Sequence, residues 1–155
     1  EGGIRVPAIV RWPGRIPAGA VSDALLSGYD LLPTLASIVG FEVPDDRPID
    51  GEDFAAALRG ERWQRGRPLY WEFDDDQGYH FAIRDERYKL LADESLERVT
   101  LYDLEEDPFE VIDRASEKPD VRDALLSRLR EIDASVEADP LRPTATPENK
   151  RFRGD

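Results

Sequence analysis

Chemistry in this chain of 155 residues has few places to reside: the acidic runs Asp45-Asp46, Asp74-Asp75-Asp76 and Asp103 through Asp107, and the single histidine, His80. A metal site needs such groups converging on one point. Contiguous carboxylates in a loop splay into solvent, and none of these runs has the alternate-residue spacing of a calcium loop, so no metal ligand is assigned. His80 follows the acidic loop FDDDQGY at the start of a strand, a position open to a substrate, although a lone exposed histidine is more often an ordinary polar residue. Around it stand Tyr70, Trp71, Phe73, Tyr79 and Phe81. These rings can stack on a sugar or aryl group, and at least half of them read more simply as core. There is no Gly-x-Ser-x-Gly, no Walker loop and no Gly-x-Gly-x-x-Gly. With no cysteine, disulfides, thiolate metal sites and cysteine nucleophiles are absent from these residues. No catalytic residue is assigned.

The elements that must position these groups fall into two stretches. From Ile4 to Trp12, alternating apolar residues predict a strand, and Pro7 places it at a sheet edge or a bulge. No neighbouring strand follows nearby, so it reads as the edge strand of a larger sheet. The crowded opening EGGIRVP, with no methionine or leader before it, reads as cut from something longer. YDLLPTLASIVG predicts a helix capped by Asp30, with Pro33 in the first turn and Gly40 at the C-terminal cap; Leu31, Leu35, Ile38 and Val39 line one face. EDFAAALRG predicts a short helix stopped by Gly60.

After residue 66 the pattern turns to strands. PLYWEF, HFAIR, RYKLLAD and RVTLYDL predict an antiparallel meander, with a tight hairpin at Asp85-Glu86, where Glu is a poor residue for positive φ. Val121, Leu125, Leu129, Ile132 and Val136 form one stripe on a helix that Pro119 and Asp120 start well. That helix is expected to cover one face of the sheet. The last stretch, 139–155, is rich in proline and polar residues and reads as an extended or disordered tail. The expected fold is α+β: a four-stranded antiparallel sheet packed on a long C-terminal helix, in residues 67–138. An edge strand and helices, residues 1–66, precede it.

Charge narrows the partners. A formal net charge of -13 repels nucleic acid and anionic membranes. No stretch approaches the roughly 20 apolar residues of a membrane span, and the compartment is left open.

In order along the chain, EGGIRVPAIVRWPGRI, SGYDLLPTLASIVG, IDGEDFAAALRG, RPLYWEF, AIRDERYKLL and LYDLEEDPFE resemble the C-terminal portion of the sulfatases, the arylsulfatase-like members of the alkaline phosphatase superfamily. The resemblance reaches to about residue 138. It implies that residues 1–66 close a larger α/β catalytic domain and that residues 67–138 form a small C-terminal domain. It also implies sulfate-ester hydrolysis with a formylglycine and a calcium ion, acting on a sulfated small molecule or glycan. The formylglycine motif, Cys/Ser-x-Pro-x-Arg, does not occur here, so the fragment is expected to be inactive alone, with no cofactor of its own. Tyr79 and His80 are the candidate substrate-binding residues, leaning to a pocket rim. Asp113 stands where the family often has Asn, and Glu86 where glycine is common. Two alternatives stay open: a phosphonate or phosphate-ester hydrolase of the same superfamily, and a non-catalytic binding or assembly module that self-associates through the edge strand.

Overall fold

The computed structural model describes residues 1–73 and 75–139. A 3-10 turn at Gly28–Asp30 leads into α1 (Leu31–Val39), followed by α2 (Ala55–Leu58), β1 (Leu69–Glu72), β2 (Phe81–Arg84), β3 (Tyr88–Ala92), β4 (Val99–Asp103) and α3 (Pro119–Glu137). The chain forms two compact units: residues Gly2–Pro68, and Glu1 together with the residues from Leu69 onward.

In the second of these, the four strands lie in the order β1-β2-β3-β4, every neighbour antiparallel. Alternation decides the core. Phe81 and Ile83 of β2, Leu90 and Ala92 of β3 and Leu101 of β4 share one cluster with Leu125 and Leu129 of α3. Ile83, Leu90, Leu101 and Leu129 are fully buried, each contributing about 1.5–3 kcal/mol by leaving water. The stripe expected on α3 is the stripe that packs: Val121 and Ile132 flank Leu125 and Leu129, and Pro119 occupies the first turn. Registration puts Ala82, Leu91 and Thr100 abreast on the opposite face, where they too are buried.

The hairpin between β2 and β3 sits one residue later than expected. Arg84 pairs with Lys89, and the Asp85 N–H donates to the Tyr88 carbonyl at 3.0 Å, leaving Glu86 and Arg87 as the turn. The Asp85 carboxylate accepts the N–H groups of Arg87 (3.0 Å) and Tyr88 (2.6 Å). Leu96 and Glu110 are the only non-glycine residues at positive φ among the described residues, so Glu86 needs none. Beyond β4, Asp113 accepts the N–H groups of Leu101 (3.0 Å) and Ala115 (2.8 Å), while Arg114 N–H donates to the Leu101 carbonyl at 2.7 Å.

In residues Gly2–Pro68, the expected strand from Ile4 to Trp12 does not form. A strand exists through its ladder, and among the described residues of this unit no strand is present to pair with it. Ile4, Val6, Ile9, Val10 and Trp12 are all exposed, Ile9 at 95%. Helix α1 forms where expected, and Gly40 closes it at φ 71°. Its apolar face is not covered: Leu31, Leu35 and Val39 are exposed, while Thr34 and Ala36 are buried.

Asp30 also differs from expectation, since its side chain does not cap α1. It is fully buried and ion-paired with Arg65, and it accepts the N–H groups of Ser27 (2.6 Å) and Glu52 (2.9 Å). Thr34 extends the network, its hydroxyl donating to the Asp30 carbonyl at 2.7 Å and accepting the Phe54 N–H at 3.0 Å. Glu52 then accepts the N–H groups of Gly66 (2.9 Å) and Arg67 (2.7 Å). Motifs far apart in sequence are thereby tied by one polar web. The tail expected at 139–155 lies, after Asp139, outside the described residues.

Candidate functional site

The loop joining β1 to β2 is built by its own carboxylate. Asp75 accepts the N–H groups of Gln77 (2.9 Å) and Tyr79 (2.7 Å), and Gly78, at φ 80°, turns the chain back. Backbone pairing then resumes with Phe73 N–H to the His80 carbonyl (2.8 Å) and His80 N–H to the Ala92 carbonyl (2.8 Å). This gives the two candidate residues fixed stems.

Their side chains diverge. Tyr79 turns toward β4, its hydroxyl hydrogen-bonded to Thr100 Oγ1 and its ring covered by Arg98 at 4.4 Å from the centroid. Arg98 is itself held by the Gln77 carbonyl at 2.7 Å. His80 turns toward β1, with Nε2 3.6 Å from Glu72 Oε1 and its ring edge-on to Phe81 at 4.5 Å between centroids. His80 is therefore the one of the pair whose imidazole faces a carboxylate, an arrangement that orients the ring for proton exchange or hydrogen bonding. Of the aromatic cluster, Tyr70 and Phe81 pack 6.1 Å apart around the core, and the Tyr70 hydroxyl donates to Asp133 at 3.1 Å.

Several members of the acidic runs hold side-chain or backbone partners within this chain. Asp46 pairs with Arg47 on the surface at 2.9 Å. Asp107 accepts the N–H groups of Val111 (2.8 Å) and Ile112 (2.7 Å), shaping the loop beyond β4. Asp103 is fully buried beneath Arg87, whose Nε lies 2.9 and 3.0 Å from its two oxygens and whose Nη2 lies 2.6 Å from Oδ2. Those hydrogen bonds hold the Asp103 carboxyl below the usual carboxylate range, outweighing burial, which acts in the other direction.

A four-charge cluster occupies the sheet face opposite α3. Lys89 Nζ lies 2.9 and 3.0 Å from the Glu110 oxygens and 3.8 Å from Glu1, which also pairs with Arg84. Arg84 and Lys89 are cross-strand partners, so two carboxylates neutralise two adjacent cations. Sequence reading missed this cluster and the Asp30–Arg65 pair. Their hydrogen-bonded partners lie from 21 to 83 residues apart, beyond the reach of any local spacing rule.

Among the described residues no three His, Cys, Asp or Glu are grouped so as to hold a metal ion, and the chain has no cysteine to become a formylglycine. The residues present do not fit the calcium or the aldehyde that the resemblance implies for the full enzymes, and no step is routed through either. Among the described residues no helix is long and apolar enough to cross a membrane.

Dog arylsulfatase G is 32% identical over 174 residues, covering 95% of this chain and 32% of its own length. Mouse arylsulfatase G is 39% identical over 87 residues, covering 56% of this chain and 17% of its own. The chain thus spans less than a third of the relatives it matches. Among solved structures, Ps i-CgsB bound to k-i-k-neocarrahexaose superposes with a TM-score of 0.67 at 26% identity, covering 92% of this chain and 31% of that one. The family described as N-sulphoglucosamine sulphohydrolase, C-terminal, matches residues 1–135. With that match spanning both units, the chain belongs to this family and is a C-terminal sulfatase portion.

Proposed function

We propose that this chain completes a sulfate-ester hydrolase acting on a sulfated sugar, and that it is inactive without the preceding part of the enzyme. The carrying observation is the family match over residues 1–135, whose description names a sulphated glucosamine hydrolase. Two features support the dependence on a further part. The chain lacks the nucleophile motif and a metal-ligand group among its described residues. It also leaves Val6, Ile9, Leu31, Leu35 and Val39 exposed, more apolar surface than a free-standing unit keeps uncovered.

Within that enzyme, the β1–β2 loop contributes to the rim of the substrate pocket. His80, oriented by Glu72, contacts the alcohol side of the ester, and Tyr79 braces the loop through Thr100 and Arg98. Binding energy from such a remote contact is expressed in KM when it is equal in ground and transition states. His80→Ala in the intact enzyme is expected to raise KM for a bulky sulfated sugar by about tenfold with kcat unchanged, a loss of about 1.4 kcal/mol. Steady-state kinetics indistinguishable from wild type would remove His80 from the site.

A further inference from the structure

The turn WPGRI builds one lip of a small cleft in the Gly2–Pro68 unit. The N–H groups of Arg15 (3.0 Å) and Ile16 (2.9 Å) both donate to the Trp12 carbonyl, and Gly14, at φ 78°, lets the chain close that tightly. Trp12 and Arg15 therefore stand side by side, with the guanidinium 5.9 Å from the ring centroid, the outer limit of a cation–π contact. Its donors stay available.

The opposite lip is the end of α2. Arg59 is aimed by Glu61, which accepts from its Nε at 2.6 Å and from Nη2 at 3.4 Å. Between the lips, Ile16, Ile38 and Leu58 give an apolar floor to a cavity of ≈ 210 Å³. That is below the roughly 300–1,000 Å³ of drug-sized pockets, so it accommodates one ring.

The chemistry of the lining selects an occupant. Among the described residues no carboxylate lies within ion-pair distance of Arg15, in a chain carrying a net charge of -13. A neutral apolar guest would leave the Arg15 guanidinium unpaired, Arg59 already sharing its charge with Glu61, and a bare anion would make no use of the half-exposed indole or the floor. A ring with an apolar C–H face and one sulfate uses all three: stacking on Trp12, packing on Ile38 and Leu58, and bidentate hydrogen bonding to Arg15.

We infer that the cleft between the Trp12–Ile16 turn and α2 binds one sulfated sugar ring, with Arg15 as the sulfate anchor, Trp12 as the stacking face and Arg59 as the second cation. The choice of a sugar as the sulfate carrier rests on the function proposed above. No residue of the cleft belongs to the Tyr79–His80 loop, so the two proposals are tested through different side chains.

The test uses the intact enzyme labelled with 5-fluorotryptophan, in which Trp12→Phe, Trp63→Phe and Trp71→Phe assign the three fluorine resonances that are followed. N-acetylglucosamine 6-sulfate is titrated, with N-acetylglucosamine and inorganic sulfate as comparators. The Trp12 resonance is expected to move saturably with the sulfated sugar and to move far less with either comparator. Arg15→Ala is expected to weaken that response about tenfold, Arg15→Lys to restore part of it, and Arg59→Ala to weaken it about threefold. Unchanged Trp63 and Trp71 resonances establish that each variant is folded. A Trp12 resonance that does not move, that moves equally with the neutral sugar, or that responds normally in Arg15→Ala overturns the assignment. Aryl sulfate hydrolysis is read on the same samples. Its absence beside an intact Trp12 response rejects the proposed activity and leaves the cleft standing; hydrolysis with a silent Trp12 does the reverse.

Discussion

The Arg87–Asp103 fork shows what one side chain contributes and under which conditions. Arg87 is half-buried and Asp103 is fully buried, and the guanidinium holds the carboxyl ionised to lower pH than usual. A carboxyl whose folded pKa is depressed adds stability that is complete above its unfolded value of about 3.9 and disappears as pH falls through the lower folded value. Acid unfolding followed by circular dichroism is therefore expected to be shallower below about pH 4 in Asp103→Asn than in wild type. An identical acid limb would show that the fork has no net linkage to folding. Asp30 illustrates what could be read from sequence at this scale and what could not. Its position at the start of α1 was legible, whereas its use as the buried partner of Arg65, 35 residues away, depends on a tertiary approach that no helix-capping rule encodes.

Elements whose cores are made by their own periodicity were legible: the four strands, α3 with its Leu125–Leu129 stripe, and α1 between Asp30 and Gly40. The stretch Ile4 to Trp12 was not, because alternation describes what a strand would bury and says nothing about whether a neighbour exists to pair with it. The β2–β3 turn was displaced by one residue because Asp85 satisfies two backbone donors itself, a side-chain preference that outcompetes the generic two-residue reading. The motif IDGEDF gains its meaning here too. A Cβ on Gly51 would lie 2.2 Å from the Tyr29 carbonyl oxygen, so only glycine lets this segment pass the turn that leads into α1. Gly51→Ala is expected to destabilise the Gly2–Pro68 unit by about 1–3 kcal/mol in urea unfolding, the usual range for overpacking. No change in midpoint would mean that the backbone there shifts freely.

For the whole molecule, the deciding quantity is uncovered apolar surface. Leu31, Leu32, Leu35, Val39 and Phe41 are each more than half exposed on or just beyond one short helix. In the sequence, Leu31, Leu35, Ile38 and Val39 read as one face of a helix, and that helix forms; under the proposed function the preceding part of the enzyme covers the face. Leu35→Glu is expected to raise the solubility of the isolated chain without lowering its unfolding midpoint, since Leu35 is 56% exposed. In the intact enzyme the same change should reduce the yield of folded protein. An unaffected intact enzyme would show that Leu35 stays in water there as well.

The bonds that Asp113 and Arg114 make to Leu101 have one more effect. They occupy the outer N–H and C=O of the middle residue of β4, the two groups that an incoming fifth strand would seize first. The sheet is thereby terminated on that side by its own chain. Should the protein ever recruit further copies into a growing fibril, addition must begin at the far margin, along Leu69–Glu72, so mutations that promote fibre growth are expected to concentrate there and to spare β4.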